Sequence, residues 1–308
     1  MNPEALQDAF ILTGPTASGK SAVGLHLAER LNAEIISMDS MAVYQEMDIG
    51  TAKPHRAQQR QVPHHLIDCL KPSESATLAW WLRAAVAAGQ TIRNRGKRIL
   101  VVGGTPLYLK GLLRGIFEGP GADRSIRLRY ASWPEQRLRQ QLASIDPVSE
   151  NKIKANDTRR LIRALEVFEL TGRPISSWQT QFDTIRPRPY PPVWLNLDRS
   201  LLHQRIHKRV DQMVEQGFVQ EVQKILLQFH PLSNEVQGAA GYAEMLAHLA
   251  GAISLEEAIE RTKTRTRQLA KRQVTWFRHL QELTRLDIAE HEPTSMIADR
   301  ILQLWNIP

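Results

Sequence analysis

The sequence predicts an α/β fold, a parallel sheet flanked by helices and interrupted by a helical insertion domain. Three observations carry this reading. Short apolar runs bounded by turn signals occur at residues 10–12, 35–38, 99–102 and 193–197, the pattern of strands buried on both faces. Helical patterns separate these runs. Between about residues 121 and 189 the strand signal vanishes, and this stretch is bounded by Gly119-Pro120-Gly121 and by Arg186-Pro187-Arg188-Pro189-Tyr190-Pro191-Pro192.

Taken in order, the first strand is followed by Val23, Leu27 and Leu31, which recur every four residues as one helix face. After the second strand, Leu78, Leu82, Ala85 and Val86 form another apolar stripe ahead of the third. Inside the insertion, Asn156 or Asp157 can cap a helix carrying Leu161, Leu165 and Phe168, with Gly172 and Pro174 as its stop. From residue 201 onward the pattern is almost wholly helical. Ser254 and Glu257 match a capping box for a long final helix. Between residues 261 and 278 that helix has seven basic residues and no acidic one. Helical spacing places Leu269, Trp276 and Leu280 on one face, flanked by Arg261, Arg265 and Arg272 and by Lys263, Arg267, Lys271 and Arg278. That face is expected to pack and the flanks to stay free.

Hydrophobic residues make up 42% and charged residues 23%, which excludes disordered and collagen-like classes. A chain of 308 residues suits about two cores. The formal charge is +8, and thirteen Lys and Arg stand against eight Asp and Glu between residues 122 and 189, so a polyanionic partner is expected. A lone Cys69 permits neither an internal disulfide nor a Cys-based zinc site. The N-terminal residues lack the basic segment of a secretory signal, and no apolar run reaches the roughly 20 residues that span a bilayer. The expected location is cytoplasmic.

The strongest motif is Gly14-Pro15-Thr16-Ala17-Ser18-Gly19-Lys20-Ser21, a complete Walker A pattern between a strand and a helix. Backbone N–H groups of such a loop close around phosphate oxygens, Lys20 adds a point charge and Ser21 can ligate Mg²⁺. The loop identifies a di- or triphosphate site without naming the compound. Asp39 follows the second strand and faces the crevice where open α/β sheets bind ligands, as a general base, a metal partner or a loop cap. Gly103-Gly104-Thr105 ends at the same crevice. The Thr105 hydroxyl can donate to an oxyanion or leaving oxygen, or cap the next helix. The adjacent His64 and His65 match no zinc spacing and read as structural. Asn151-Lys152-Ile153-Lys154 has Lys where guanine recognition needs Asp, which disfavours a GTPase. Arg159, Arg160 and Arg163 share one helical turn and suit nucleic-acid phosphates, unless Glu166 and Glu169 pair with them.

Together with Met47-Asp48-Ile49-Gly50-Thr51-Ala52-Lys53-Pro54, His65-Leu66-Ile67-Asp68, Val102-Gly103-Gly104-Thr105-Pro106-Leu107-Tyr108, Gly241-Tyr242, and residues 156–166 and 266–276, these motifs resemble the bacterial tRNA dimethylallyltransferase family. The resemblance runs in family order from near residue 11 to near residue 280. It implies a P-loop NTPase-like core formed by residues 1–120 and 190–308, with residues 121–189 as a helical insertion contacting tRNA. It makes dimethylallyl pyrophosphate the ligand of Gly14, Thr16, Ala17, Ser18, Gly19, Lys20 and Ser21, with Mg²⁺ at Ser21. The implied acceptor is the exocyclic amine of the adenosine 3′ to the anticodon, in tRNAs reading codons that begin with U. Asp39 is then the base at that amine, and Thr105 contacts the bridging oxygen of the pyrophosphate.

The tRNA anticodon stem-loop would meet Asp39, Ser40, Met41, Ala42, Thr105, Arg127, Arg159, Arg160, Leu161, Ile162, Arg163, Gly238, Gly241, Tyr242, Lys271, Arg272, Gln273, Trp276 and Arg278. Ala42 stands where the family often has Gln, and Ala243 where a basic residue often follows Gly-Tyr. Both differences fall among the implied RNA contacts. The competing readings are a P-loop kinase of a nucleotide or small metabolite and a non-catalytic, NTP-regulated RNA-binding protein.

Overall fold

The structure, a computed structural model, describes residues 3–117, 119–178 and 185–307. The chain divides into two compact units, one of Leu113–Arg186 and one combining Pro3–Leu112 with Pro187–Pro308.

The larger unit is built on six parallel strands: β1 (Phe10–Thr13), β2 (Ala33–Ser37), β3 (His64–His65), β4 (Arg98–Gly103), β5 (Val193–Asn196) and β6 (Thr284–Asp287). Their order is β3-β2-β4-β1-β5-β6. Every residue of β1, β2 and β5 is buried, as strands covered on both faces require. The chain leaves β1 toward β2 on one side, whereas the strand after β4 lies on the other side of β1. The connections leaving the C-terminal ends of β1 and its neighbour β4 therefore run to opposite sides and open a crevice at a topological switch point. The loops after Thr13 and Gly103 border it.

Val23, Leu27 and Leu31 of helix Lys20–Leu31 pack into a core with Leu12, Leu100 and Leu195 of the sheet and with Ile301 and Trp305 near the C-terminus. A second core gathers Tyr44, Met47, Phe218, Val222, Tyr242 and Met245. Two strands lie outside the sequence expectation. β3 has only two residues, and β6 buries only Leu286 of Thr-Arg-Leu-Asp, so neither carries a run of apolar side chains. The structural reading of the His pair agrees with what β3 shows: His65 Nε2 lies 2.6 Å from buried Glu34, and His64 Nδ1 donates to the Val62 carbonyl at 2.7 Å.

Helix Leu255–His279 starts at Ser254, whose hydroxyl accepts the N–H of Glu257. The reciprocal half of the expected capping box is missing because the Glu257 carboxylate takes Arg261 at 2.5 Å. Its buried face matches the expected one only in part: Leu280 is buried and Leu269 half-buried. Ala258, Thr262, Ala270, Gln273 and Phe277 are buried, while Trp276 is 37% exposed. The packed stripe combines small Ala258, Thr262 and Ala270 with Phe277, and Gln273 and half-buried Leu269 meet the crevice.

The smaller unit is helical among its described residues, with Arg124–Ala131, Glu135–Ile145, Pro147–Lys152 and Thr158–Thr171 as its α-helices. Asp157 caps the last of these and Gly172 ends it in a left-handed conformation. Leu138, Leu142, Leu161 and Leu165 form the centre of its core. Among the described residues, no helix of the chain is long and apolar enough to cross a membrane.

Candidate active site

The loop after β1 winds through left-handed Ala17 and Gly19 into helix Lys20–Leu31. The first N–H groups of this helix have no helical partner and favour an anion. The Ser18 hydroxyl is buried without a hydrogen-bond partner. Lys20 Nζ donates to the Pro15 carbonyl at 3.2 Å. Burial pushes the Lys20 pKa down to about 8; nearby Asp39 opposes this and Arg209 reinforces it.

Lys20 and Ser21 stand between two cavities. One, of about 240 Å³, is lined by Asp39, Ser40, Thr105, Arg209, Tyr242 and Gln273. The other, of about 740 Å³, is lined by Gly19, Lys53, Arg56, Arg205 and Arg209. Lys20, Ser21, Ala52, Lys53, Pro54 and Arg209 border both.

One Asp39 oxygen accepts the N–H groups of Met41 and Ala42, at 2.8 and 3.2 Å. Its other oxygen has no partner among the described residues. The carboxylate therefore caps its own turn and still offers an acceptor to the cavity. Thr105 Oγ1 accepts the Ser40 N–H at 3.0 Å, which joins the turns after β2 and β4. His64 lines the same cavity, and burial pushes its pKa down.

Gln273, named above as an RNA contact, makes two hydrogen bonds within the protein. It accepts the Thr16 N–H at 2.9 Å and donates to the Gly104 carbonyl at 2.7 Å, locking the phosphate loop to the turn after β4. A Cβ at position 104 would stand 2.9 Å from Gln273 Nε2 and from the Gly14 carbonyl, so glycine is what permits this approach.

Arg209 was not among the expected site residues. It sits on helix Arg199–Glu215 in register with buried Leu202, Ile206 and Met213, and its guanidinium donates to the Thr51 carbonyl at 3.3 Å. Burial lowers its pKa, with Asp39 opposing. The signal was a basic residue interrupting an apolar stripe at helical spacing.

The 47–54 motif is held by a buried cation. Lys53 Nζ contacts Asp48 at 2.6 Å, Asp68 at 2.5 Å and the Tyr44 carbonyl at 2.9 Å. Across the cavity, Gly241 donates its N–H to Glu244, and Arg265 binds both Glu244 and the carbonyl of exposed Gly238. Met41 lines the cavity and Ala42 is buried in its wall. Lys271, Arg272 and Arg278 are exposed and have no ion-pair partner among the described residues. Lys271 and Arg278 border a separate groove with Arg199 and His203. The His203 pKa is lowered there by burial, Arg199 and Arg267.

In the smaller unit, Arg127 grips fully buried Glu166 through two hydrogen bonds, at 2.7 and 3.0 Å. Arg163 binds the same carboxylate at 2.6 Å. Burial raises the Glu166 pKa, but these bonds and the Asp123 N–H bring it below the ordinary value. Thus Arg127 and Arg163 are partly committed to structure. Arg159 is exposed without an ion pair among the described residues, and Arg160 pairs loosely with Asp157 at 3.3 Å. The side chain of Leu161, named above as an RNA contact, is buried in the core of this unit, with Ile162 packed beside it.

Residues 42–280 match the family model for IPP transferase, and residues 7–68 match that for isopentenyl transferase. A tRNA dimethylallyltransferase of Geobacter metallireducens is 44% identical over 92% of this chain and 93% of that protein. One from Pelotomaculum thermopropionicum is 43% identical over 95% and 94%. The crystal structure of the tRNA isopentenylpyrophosphate transferase from Bacillus halodurans is 37% identical, covers 97% of each chain and superposes with a TM-score of 0.70. A eukaryotic dimethylallyltransferase acting on tRNA is 29% identical, covers 98% of this chain and 80% of its own, and has a TM-score of 0.83. With the phosphate loop, Asp39 and Thr105 converging on one crevice, this chain belongs to the IPP transferase family.

Proposed function

We propose that this protein transfers the dimethylallyl group of dimethylallyl pyrophosphate to the exocyclic N6 amine of the adenosine 3′ to the anticodon, in tRNAs reading codons that begin with U. The observation that carries this reading is the Asp39 oxygen left unpaired in the cavity that also holds Lys20, in a chain whose relatives are named for this transfer.

The amine of adenosine is a weak nucleophile, so the allylic C–O bond must break substantially as the C–N bond forms. The electron pair of the broken bond leaves with pyrophosphate. Lys20, Arg209 and the loop N–H groups are the donors placed to take up that charge. The Thr105 hydroxyl accepts from Ser40 and donates only weakly, to Ser40 Oγ at 3.4 Å, which leaves its proton available to a leaving oxygen. Asp39 receives the amine proton through its unpaired oxygen. Gln273 and Gly104 hold the loop and the Thr105 turn in register during these steps.

Mg²⁺ fits the site, since it needs only one or two protein oxygens beside substrate phosphates and waters. Ser21 would hold it, with an exposed hydroxyl that has no hydrogen-bond partner among the described residues. Bound there, the ion supplies positive charge at the phosphate oxygens. Arg159, Arg160, Lys271, Arg272, Trp276 and Arg278 are exposed groups suited to the RNA backbone and bases. A tRNA substrate supports a cytoplasmic location.

The test is mass spectrometry of tRNA incubated with the protein and either dimethylallyl pyrophosphate or ATP. A single dimethylallyl group on one adenosine is expected with the first donor, and Asp39→Asn should slow its single-turnover formation by roughly 10² to 10⁴. ATP-dependent phosphorylation without prenylated RNA would instead make the protein a kinase. RNA binding with no product from either donor would leave it a binding protein.

A further inference from the structure

We propose that Glu221 is a positioning residue for this transfer, acting through Arg209; the proposal rests on the transferase reading above. Glu221 lies in the first turn of helix Phe218–Phe229. One of its oxygens accepts the N–H groups of Asp48 and Ile49, at 2.9 and 2.6 Å. The other accepts the Gly50 N–H at 3.1 Å and the Tyr242 hydroxyl at 2.7 Å. All four donors are neutral, and Glu221 forms no ion pair among the described residues. A carboxylate held this way fixes geometry: it gathers three consecutive N–H groups of one turn and binds them to the opposite wall of the cavity.

The turn has little freedom of its own. A Cβ at Gly50 would fall 2.2 Å from the Phe218 ring and 2.7 Å from that of Tyr242, and these two rings meet edge to face at 5.1 Å. The residue after Gly50 is Thr51, whose carbonyl accepts from Arg209 at 3.3 Å. Gly50, Thr51, Tyr242 and Arg209 line the cavity that contains Lys20 and Asp39. Glu221 thus holds the turn, the turn offers the Thr51 carbonyl, and that carbonyl seats the guanidinium facing the leaving group. Loss of the carboxylate lets the turn drift, and Arg209 follows.

The experiment is a double-mutant cycle on single-turnover transfer, with hydrogen exchange as an independent readout. Glu221→Gln keeps the length of the side chain but turns an NH₂ toward donors. It is expected to lower the transfer rate roughly tenfold to a hundredfold, the scale of a misplacement of about 1 Å, with RNA affinity changed by less than about threefold. Exchange at the 48–50 amides should rise roughly tenfold, while the sheet stays protected. Arg209→Lys combined with Glu221→Gln should be no slower than Arg209→Lys alone, because both changes interrupt one connection. Should Glu221→Gln melt too readily, Glu221→Asp, which keeps the charge but withdraws it by one methylene, enters the same cycle. Wild-type rate or unchanged exchange in a folded variant overturns the proposal, as does a double variant whose losses multiply. A wild-type protein that forms no prenylated RNA refutes the transferase reading instead, and exchange then decides whether Glu221 holds the turn.

Discussion

Gln273→Ala is expected to loosen the phosphate loop without weakening RNA binding. The substitution removes two hydrogen bonds, one from the Thr16 N–H and one to the Gly104 carbonyl, and leaves both backbone groups facing a hole. Each bond contributes about 0.5–1.5 kcal/mol net, and a stranded buried group costs about 1–3 kcal/mol when water cannot replace the partner. Both groups lie beside a cavity, so water enters and the total stays near the low end, about 2 kcal/mol. At roughly 2–4 °C per kcal/mol for a unit of the larger unit's size, its Tm should fall by about 4–8 °C. Gln273→Glu should lose a comparable amount, because a carboxylate cannot donate to the Gly104 carbonyl. Thermal melting gives the first quantity; KM for dimethylallyl pyrophosphate and Kd for tRNA give the partition between the two substrates. An unchanged Tm with a large loss of tRNA affinity would refute the lock and return Gln273 to the RNA interface.

The Lys20 ammonium is half lost near pH 8 and fades as pH rises further, so donor binding should weaken above that pH by at most about tenfold per unit, and Lys20→Arg should flatten the profile. In the ligand-free protein the folded state loses this proton before the unfolded one, so stability from this group rises between about pH 8 and 10.5; Lys20→Met, followed by melting against pH, should remove that rise. Replacing Arg159 and Arg160 by Ala should reduce the salt dependence of tRNA binding by about 0.7–0.9 for each phosphate no longer neutralised, measured as the slope of log K against log salt. Glu166 has a depressed pKa, so its contribution is present above the ordinary Glu value and lost as pH falls through the folded one; Glu166→Gln should cost the smaller unit about 2 kcal/mol at neutral pH, less than a fully dry pair because Arg127 reaches solvent, with the loss shrinking in acid denaturation curves.

The phosphate loop was legible in the sequence because its chemistry is local: eight consecutive residues bear the loop, the lysine and the helix start. Asp39 and Thr105 were legible as candidates because each follows an apolar strand directly. Arg209 was not, since it enters the site from more than 150 residues beyond the loop and has no local motif; Gln273 was legible only as an RNA contact, and its bonds to Thr16 and Gly104 were hidden because both partners lie far away in sequence. Glu221 was hidden for the same reason: three of its four donors are backbone N–H groups far away in sequence. The expected packing face of helix Leu255–His279 held at Leu280 but not at Trp276, because size and hydropathy do not show that small Thr262 and Ala270 are what the tight packing admits. Arg127, Arg159, Arg160 and Arg163 look alike in sequence; only the carboxylate within reach separates a structural arginine from an exposed one.

The span between Thr16 and Gln273 has a consequence for biosynthesis. The two residues are 257 positions apart, and β1 also needs β5 as its neighbour. At about 5–20 residues per second, roughly 10–50 s separate the emergence of the phosphate loop from that of the residue that locks it. During that interval the loop has its glycines and its lysine but lacks the contact that sets its position against the turn after β4. A nascent chain therefore cannot assemble a finished donor site until nearly all of it has been made, and a message broken before codon 273 yields a protein with the motif and without the lock.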